Sequence, residues 1–373
     1  MRILLTTDTV GGVWTYAVEL CRGLSQQRVE IALATMGAPL SPSQWDEVRP
    51  MGHVHVFQSA YELEWMEEPW EDLEKAGKWL LDIEAEFQPD LIHLNGYAHG
   101  SLPWRVPTVV VAHSCVLSWF EAVKHEPAPA SWDRYHRAVT RGLHAADAVV
   151  APSRAMLDAV IRHYGPPRDS RVIHNGRSCE LLTRPVAKEP IILSAGRLWD
   201  ESKNVRTLAA AAPSISWPVY VAGEASQREP RVHELGKLSP VDLAGWFSRA
   251  AIYCLPARYE PFGLSILEAA LARCALVVGD IPSLQEIWGD AALYVGPDDA
   301  SALAATLNDL ISNADQRELM SGRAAERAKD FSRDRMVQSY LDLYREMLKA
   351  PSRRTAHLGD PSQPAGGRTA CAS

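Results

Sequence analysis

Apolar, strand-like runs alternate with helical patterns from one end of the 373-residue chain to the other. They predict an α/β protein of two doubly wound parallel-sheet domains facing across a cleft. Two further observations support that fold class. The chain is long for one hydrophobic core and comfortable for two domains of ordinary size. A polar stretch bracketed by prolines, Arg184-Pro185-Val186-Ala187-Lys188-Glu189-Pro190, divides the runs into two series and reads as a linker.

In the first series, strands are expected at 3–6, 30–34, 54–57, 91–94, 108–112, 148–151 and 172–174. Behind the first lies Asp8-Thr9-Val10-Gly11-Gly12-Val13, and Trp14 to Leu24 is helical in pattern. In the second series, strands are expected at 191–195, 219–222, 252–255 and 276–279. Residues 332–349 form one last amphipathic helix, with Met336, Tyr340, Leu343, Tyr344 and Met347 at helical spacing. Beyond Pro351 the chain is rich in Ser, Arg, Gly and Pro, which predicts a disordered tail. The expected division is therefore 1–184, 185–331, 332–350 and 351–373. No longer motif recurs, which argues against a solenoid.

Composition narrows the function classes. A hydrophobic content of 47% with 23% charged residues belongs to a globular protein. The formal charge of −8 argues against non-specific nucleic-acid binding. The six cysteines (21, 115, 179, 254, 274 and 371) make no C-x-x-C pair and sit mostly in apolar runs, as small core residues of a reducing compartment do. A strand beginning at Arg2 leaves no room for a signal peptide, and no apolar stretch reaches the roughly 18 residues of a membrane span. The expected location is the cytoplasm.

The most informative stretch is Glu260-Pro261-Phe262-Gly263-Leu264-Ser265-Ile266-Leu267-Glu268. It joins the run Ala251-Ile252-Tyr253-Cys254-Leu255 to a helical pattern, with a glycine where the backbone turns and free helix amides just beyond. Such amides are a natural seat for phosphate. Carboxylates beside that seat repel phosphate, so they suit something neutral that travels with it, and sugar hydroxyls fit. Glu268 has a second reading, as the acid of a Ser265-x-x-Glu268 capping box. Glu260, outside the helix and before a proline, is untouched by that alternative.

The Glu260–Glu268 spacing resembles the paired-glutamate motif of retaining glycosyltransferases of family 4, enzymes of GT-B type with two Rossmann-like domains. The resemblance runs as successive short motifs from Met1 to about Lys349. It implies a sugar acceptor on the N-terminal side, a nucleotide-sugar on the C-terminal side, and a last helix that crosses back to the N-domain. Gly196-Arg197 and Lys203-Asn204 correspond to the cations that grip the leaving nucleoside diphosphate. Taken alone they read as solvated loop cations that pack little. Gly11 and Gly12 fall on the cleft wall. The resemblance puts His113 beside the donor sugar, where otherwise it reads as a structural histidine ending a strand. Gly223-Glu224 and Leu235-Gly236-Lys237-Leu238-Ser239 match loops around the nucleotide, and Phe262, Gly263 and Leu264 line the donor. Asn175-Gly176 reads as a turn with Gly at positive φ, and Ser153 as a helix N-cap.

Together these imply a retaining glycosyltransferase moving a sugar from a nucleoside-diphosphate donor to an acceptor hydroxyl. The rivals are a nucleotide-sugar epimerase of similar shape and a non-catalytic sugar-nucleotide-binding protein. No D-x-D metal motif occurs, and Asp72-Leu73-Glu74 and Asp82-Ile83-Glu84 read as solvated, so no metal or other cofactor is expected. Relatives carry Gly-Gly where this chain has Pro282-Ser283, and a glycine near Arg273. The first leaves the donor sugar open; the second marks a helix end. Arg134, Arg137 and Arg141 share a helical face that relatives sometimes use on anionic membranes, but flanking acids favour a solvated face.

Overall fold

The computed structural model describes residues 1–178, 180, 186–224 and 231–349. The first sheet comprises β1 (Arg2–Asp8), β2 (Glu30–Met36), β3 (Val54–Gln58), β4 (Leu91–Leu94), β5 (Thr108–Val111), β6 (Ala148–Ala151) and β7 (Ser170–Val172). The second comprises β8 (Glu189–Ala195), β9 (Val219–Ala222), β10 (His233–Gly236), β11 (Ala250–Leu255), β12 (Ala275–Gly279) and β13 (Leu293–Val295). The orders are 3-2-1-4-5-6-7 and 10-9-8-11-12-13, and every pairing is parallel. Helices cover both faces, so the central strands are buried throughout. In each sheet the order reverses beside the first strand, between β1 and β4 and between β8 and β11. Ligands of such sheets sit at the carboxyl ends of the strands flanking that switch.

All the expected strands form, those at 91–94, 148–151 and 219–222 with the expected bounds and the others with shifted ends. The last N-domain strand ends at Val172, and the His174 ring instead reaches the Pro152 carbonyl at 2.8 Å through Nδ1. Two edge strands escape the sequence. β10 is mostly exposed and polar, and β13 has three residues, so neither shows the apolar run of a central strand. Of the expected linker, 184 and 185 lie outside the described residues. Glu189 and Pro190 already belong to β8, where Arg249 holds the Glu189 carboxylate at 2.7 and 2.9 Å. The expected tail at 351–373 also lies outside the described residues, as do Cys179 and Cys371; the remaining four cysteines are buried and free.

The last helix, Arg333–Lys349, buries Met336, Val337, Tyr340, Leu341, Leu343, Tyr344 and Met347 in the core of the first sheet, against Leu20 and Leu24 of helix Gly12–Ser25. A Cβ on Gly23 would meet Val337 Cγ2 at 2.3 Å, so the two helices touch closely there. Gly176 is not at positive φ, contrary to the turn expected for it. A Cβ at Gly176 would lie 2.3 Å from the Ser332 carbonyl. Close approach of the returning chain, rather than a turn, demands the glycine. Arg273 does take a left-handed φ of +62°, at the end of helix Leu264–Leu271, where a glycine would be unstrained. Arg134, Arg137 and Arg141 are exposed, with Arg134 lying over the Trp70 ring at 4.5 Å. Glu84 corrects the solvated reading of its stretch. It is 5% exposed, and its Oε1 accepts the Arg105 amide at 2.8 Å.

Candidate active site

Gly263 adopts the left-handed region (φ +90°), and a Cβ there would meet Ile266 Cδ1 at 2.7 Å. The chain thereby turns straight from the loop after β11 into helix Leu264–Leu271, whose start no side chain caps. The capping-box reading of Glu268 is overturned. The N-cap is Gly263, Ser265 accepts instead from the Tyr253 hydroxyl at 2.8 Å, and Glu268 Oε1 accepts from Arg177 Nε at 2.7 Å. Phe262 is 2% exposed and packs edge-on against Phe331, so only its main chain can face a ligand.

Glu260 lies across from the loop after β8. Its Oε2 pairs with Lys203 Nζ at 2.6 Å, with both side chains 13% exposed. Lys203 is thus not the solvated cation its loop position suggests. Its stem also runs past Gly196, where a Cβ would come within 3.6 Å of it. Arg197 is more open, at 38% exposed, and lies against Gly11, where a Cβ would come within 3.0 Å of its guanidinium. Arg197 pairs with Asp200 at 3.1 Å, a residue the sequence reading passed over. Asp200 also accepts from Trp119 Nε1 (3.1 Å) and from the Ser202 amide (3.0 Å). Burial favours its neutral form, but Lys203 and Arg197 outweigh this and hold its carboxyl below the usual range. Asp8, also overlooked, accepts the Val10 and Gly11 amides at 3.1 and 3.2 Å and so shapes the Gly11–Gly12 loop.

His113, just past β5, bonds through Nε2 to Asn95 Oδ1 at 2.8 Å. Asn95 Nδ2 donates to the Thr6 carbonyl at 2.7 Å, which fixes its oxygen toward His113. An amide oxygen only accepts, so the His113 proton is on Nε2 and the lone pair on Nδ1. Behind it, fully buried His93 bonds Tyr344 Oη of the last helix at 2.6 Å. Burial holds both imidazoles down to about 3, with the His93 ring adding to the effect on His113. The unfolded chain binds these protons near pH 6.5 and the folded chain near 3, so between these values the unfolded state carries more protons. Stability should therefore fall as pH drops below about 6.5, by up to about 1.4 kcal/mol per pH unit for each histidine. Denaturant unfolding at neutral and mildly acidic pH checks this, and a flat profile would mean that the folded protein accepts those protons.

The remaining positions expected on the donor side cluster at the same strand ends. Gly223 (φ +144°) passes so close to Gly196 that a Cβ would lie 1.9 Å from its carbonyl, and the Gly223 amide donates to Gly236 at 2.9 Å. Lys237 and Leu238 follow β10, exposed and partly exposed, ahead of helix Pro240–Arg249 with its Ser239 N-cap. Leu264 Cδ1 comes 3.9 Å from the Cβ position of Gly12 in the opposite domain. Other bonds also span the cleft. Ser153 caps its own helix and donates to the Pro261 carbonyl at 2.7 Å, and Lys124 pairs with Glu201 at 2.6 Å. Tyr259 Oη meets the Cys115 amide (3.1 Å) and Ser118 Oγ (2.9 Å). Among the described residues no group of three or more His, Cys, Asp or Glu could hold a metal ion, and no helix is long and apolar enough to cross a membrane.

Known proteins share this architecture. Residues 10–181 match the family described as Glycosyltransferase Family 4, and residues 189–313 match Glycosyl transferases group 1. The O-antigen chain mannosyltransferase B of Escherichia coli is 29% identical over 156 residues, 42% of this chain and 37% of that protein. This chain therefore spans little more than a third of that relative's length. The structure of sucrose-phosphate synthase from Thermosynechococcus elongatus is similar with a TM-score of 0.78 at 21% identity, covering 94% of this chain and 100% of that one. Anabaena Alr3699/HepE, solved in complex with UDP-glucose, gives 0.74 at 18% identity over 93% and 100% of the two chains. Between them the two family matches cover most of the chain, which has the GT-B fold and carries the sequence domains of glycosyltransferase family 4.

Proposed function

We propose that the protein transfers a sugar from a nucleoside-diphosphate donor to an acceptor hydroxyl with retention of configuration and without a metal ion. The observation that carries this reading is the 2.6 Å pair of Lys203 with Glu260 beside the uncapped start of helix Leu264–Leu271. It sets a cation for a phosphate and an acceptor for a sugar hydroxyl side by side. In this reading the helix amides, Lys203 and Arg197 bind the diphosphate, and Glu260 and the His113 Nδ1 lone pair accept from hydroxyls of the sugar. Glu268 accepts from the ribose. The loops at Gly223 and Lys237–Leu238 border the base, and the acceptor enters from the N-domain.

The carboxylates nearest the sugar site are committed elsewhere: Glu260 to Lys203, Asp200 to Arg197 and Asp8 to its own loop. That supports front-face attack without a covalent sugar–enzyme intermediate. The acceptor oxygen bonds to the anomeric carbon on the face from which the diphosphate departs. The bond from that carbon to the phosphate oxygen breaks, and the acceptor proton passes to the departing phosphate. Lys203, Arg197 and the helix dipole stabilise the charge growing there, and most of the rate gain comes from such positioning and electrostatics.

A thermal-shift panel of UDP, GDP, ADP and dTDP sugars tests the reading, with UDP-glucose tried first. The matching donor at 100 times its Kd should add about 2.7 kcal/mol of stability. Transfer to a hydroxyl acceptor should survive EDTA and give a product of unchanged anomeric configuration by NMR. Donor conversion without acceptor would favour an epimerase, and a binding shift without turnover a non-catalytic protein. Activity abolished by EDTA and restored by magnesium would overturn the metal-free account.

A further inference from the structure

We propose that Arg177 is a positioning residue for nucleotide binding. It grips one oxygen of Glu268 and, braced by Glu19, aims the other at the ribose diol of the nucleoside diphosphate. This rests on the assignment of Glu268 to the ribose and adds to it what sets that carboxylate's orientation.

Three parts of the chain meet at Arg177. The residue itself sits where the chain leaves the first sheet, in a parallel bridge with Ser332 of the returning segment. Its Nη1 donates to Glu19 Oε1 at 2.8 Å, on helix Gly12–Ser25, and its Nε donates to Glu268 Oε1 at 2.7 Å, on helix Leu264–Leu271. Glu19 is 2% exposed and cannot wander. Its Oε2 takes the Ser178 amide at 3.1 Å, and its Oε1 also takes Arg22 at 3.1 Å. Glu19 therefore fixes one edge of a planar guanidinium, and rigidity of the plane fixes the other edge. Glu268 is held by a single oxygen. Its Oε2 has no hydrogen-bond partner among the described residues, while the side chain keeps 12% of its surface open. A carboxylate turned and half-satisfied in this way loses little rotamer freedom when a hydroxyl arrives.

The rival role is purely structural, an ion triad tying two domains together. Burial does oppose the Arg177 charge, yet the Glu268 and Glu19 carboxylates outweigh it and raise its pKa. Breaking a tie of that kind would lower affinity for every nucleotide alike. The positioning role affects only nucleotides that carry ribose hydroxyls.

The test is calorimetric titration of whichever of UDP, GDP and ADP binds the wild type, beside its 2′,3′-dideoxy analogue. The wild type should prefer the parent by on the order of tenfold or more, the worth of a charge-assisted bond. Arg177→Gln should shrink that preference to within about threefold, Glu268→Gln should do the same, and the double variant should lose no more than either alone. Arg177→Lys should fall between, since an ammonium has no second fixed edge. Should Arg177→Gln not fold, Glu19→Gln keeps the arginine and frees its brace, and a clearly reduced preference is again expected. Wild-type preference in Arg177→Gln or Glu19→Gln, or equal loss for parent and analogue, overturns the positioning role and leaves the ribose assignment standing. A wild type that binds neither compound, or both equally, overturns the ribose assignment and with it the proposal.

Discussion

Lys203→Ala should reduce kcat on the order of 100-fold or more, because it removes a cation from the departing diphosphate. It should also destabilise the fold. As loop positions that pack little, Lys203 and Arg197 would each change stability by less than about 1 kcal/mol. That holds for Arg197, with more than a third of its side chain in water. Lys203 is different, because its loss leaves the mostly buried Glu260 carboxylate without its 2.6 Å partner. Breaking a fully buried pair costs about 3–5 kcal/mol, so this partly open one should cost roughly 1–3 kcal/mol. Adding Glu260→Gln should recover most of the stability and none of the turnover. Arg197→Ala should show the rate loss with near-normal unfolding. Denaturant midpoints and initial rates of donor consumption measure both quantities, and near-normal rates in the two single variants would remove the diphosphate from this corner of the cleft.

The two glutamates should fail in different ways. Glu260→Gln keeps shape but weakens a charge-assisted bond to the sugar, worth roughly 1.5–3 kcal/mol. Transfer should drop while free nucleoside diphosphate still binds almost normally, since the sugar is absent from that product. Glu268→Gln should weaken the nucleoside diphosphate itself, because ribose belongs to substrate and product alike. Glutamine would serve well at 268 in a capping box, but the structure assigns the N-cap to Gly263 and the carboxylate to Arg177. Calorimetric titration of the free diphosphate into both variants separates the roles. Equal, wild-type affinity would leave Glu268 with a structural part only and Glu260 as the motif's one functional acid.

The central strands were legible because burial on both faces forces continuous apolar runs, as in Val109-Val110-Val111 and Ala275-Leu276-Val277. β10 and β13 were not, since edge position relaxes that demand. The Glu260–Glu268 loop could be read from spacing because its parts are neighbours in sequence. Arg177, Asp200 and Asn95 could not: each acts on a partner contributed by another segment, and their types alone resemble ordinary loop residues. One local signal existed for Asp200, three residues beyond Arg197 at the mouth of the same strand. Gly176 misled for a related reason. A glycine after asparagine suggests a turn, whereas here it clears space for a chain segment more than a hundred residues away.

That crossing point has a mechanical consequence. The outgoing chain at Gly176–Arg177 and the returning chain at Ser332 press against each other with no room for a side chain between them. Two tethers that touch would act as a pivot, so any opening of the cleft should swing about this contact rather than slide the lobes past each other. Arg177, Glu19 and Glu268 are paired beside that pivot and should keep their company through such a swing. Lys124 with Glu201, and Trp119 with Asp200, belong to neither tether and would have to part if the lobes opened. On the proposed reading, a nucleoside held by Glu268 would sit at that pivot, and the jaws over its sugar would shut after it.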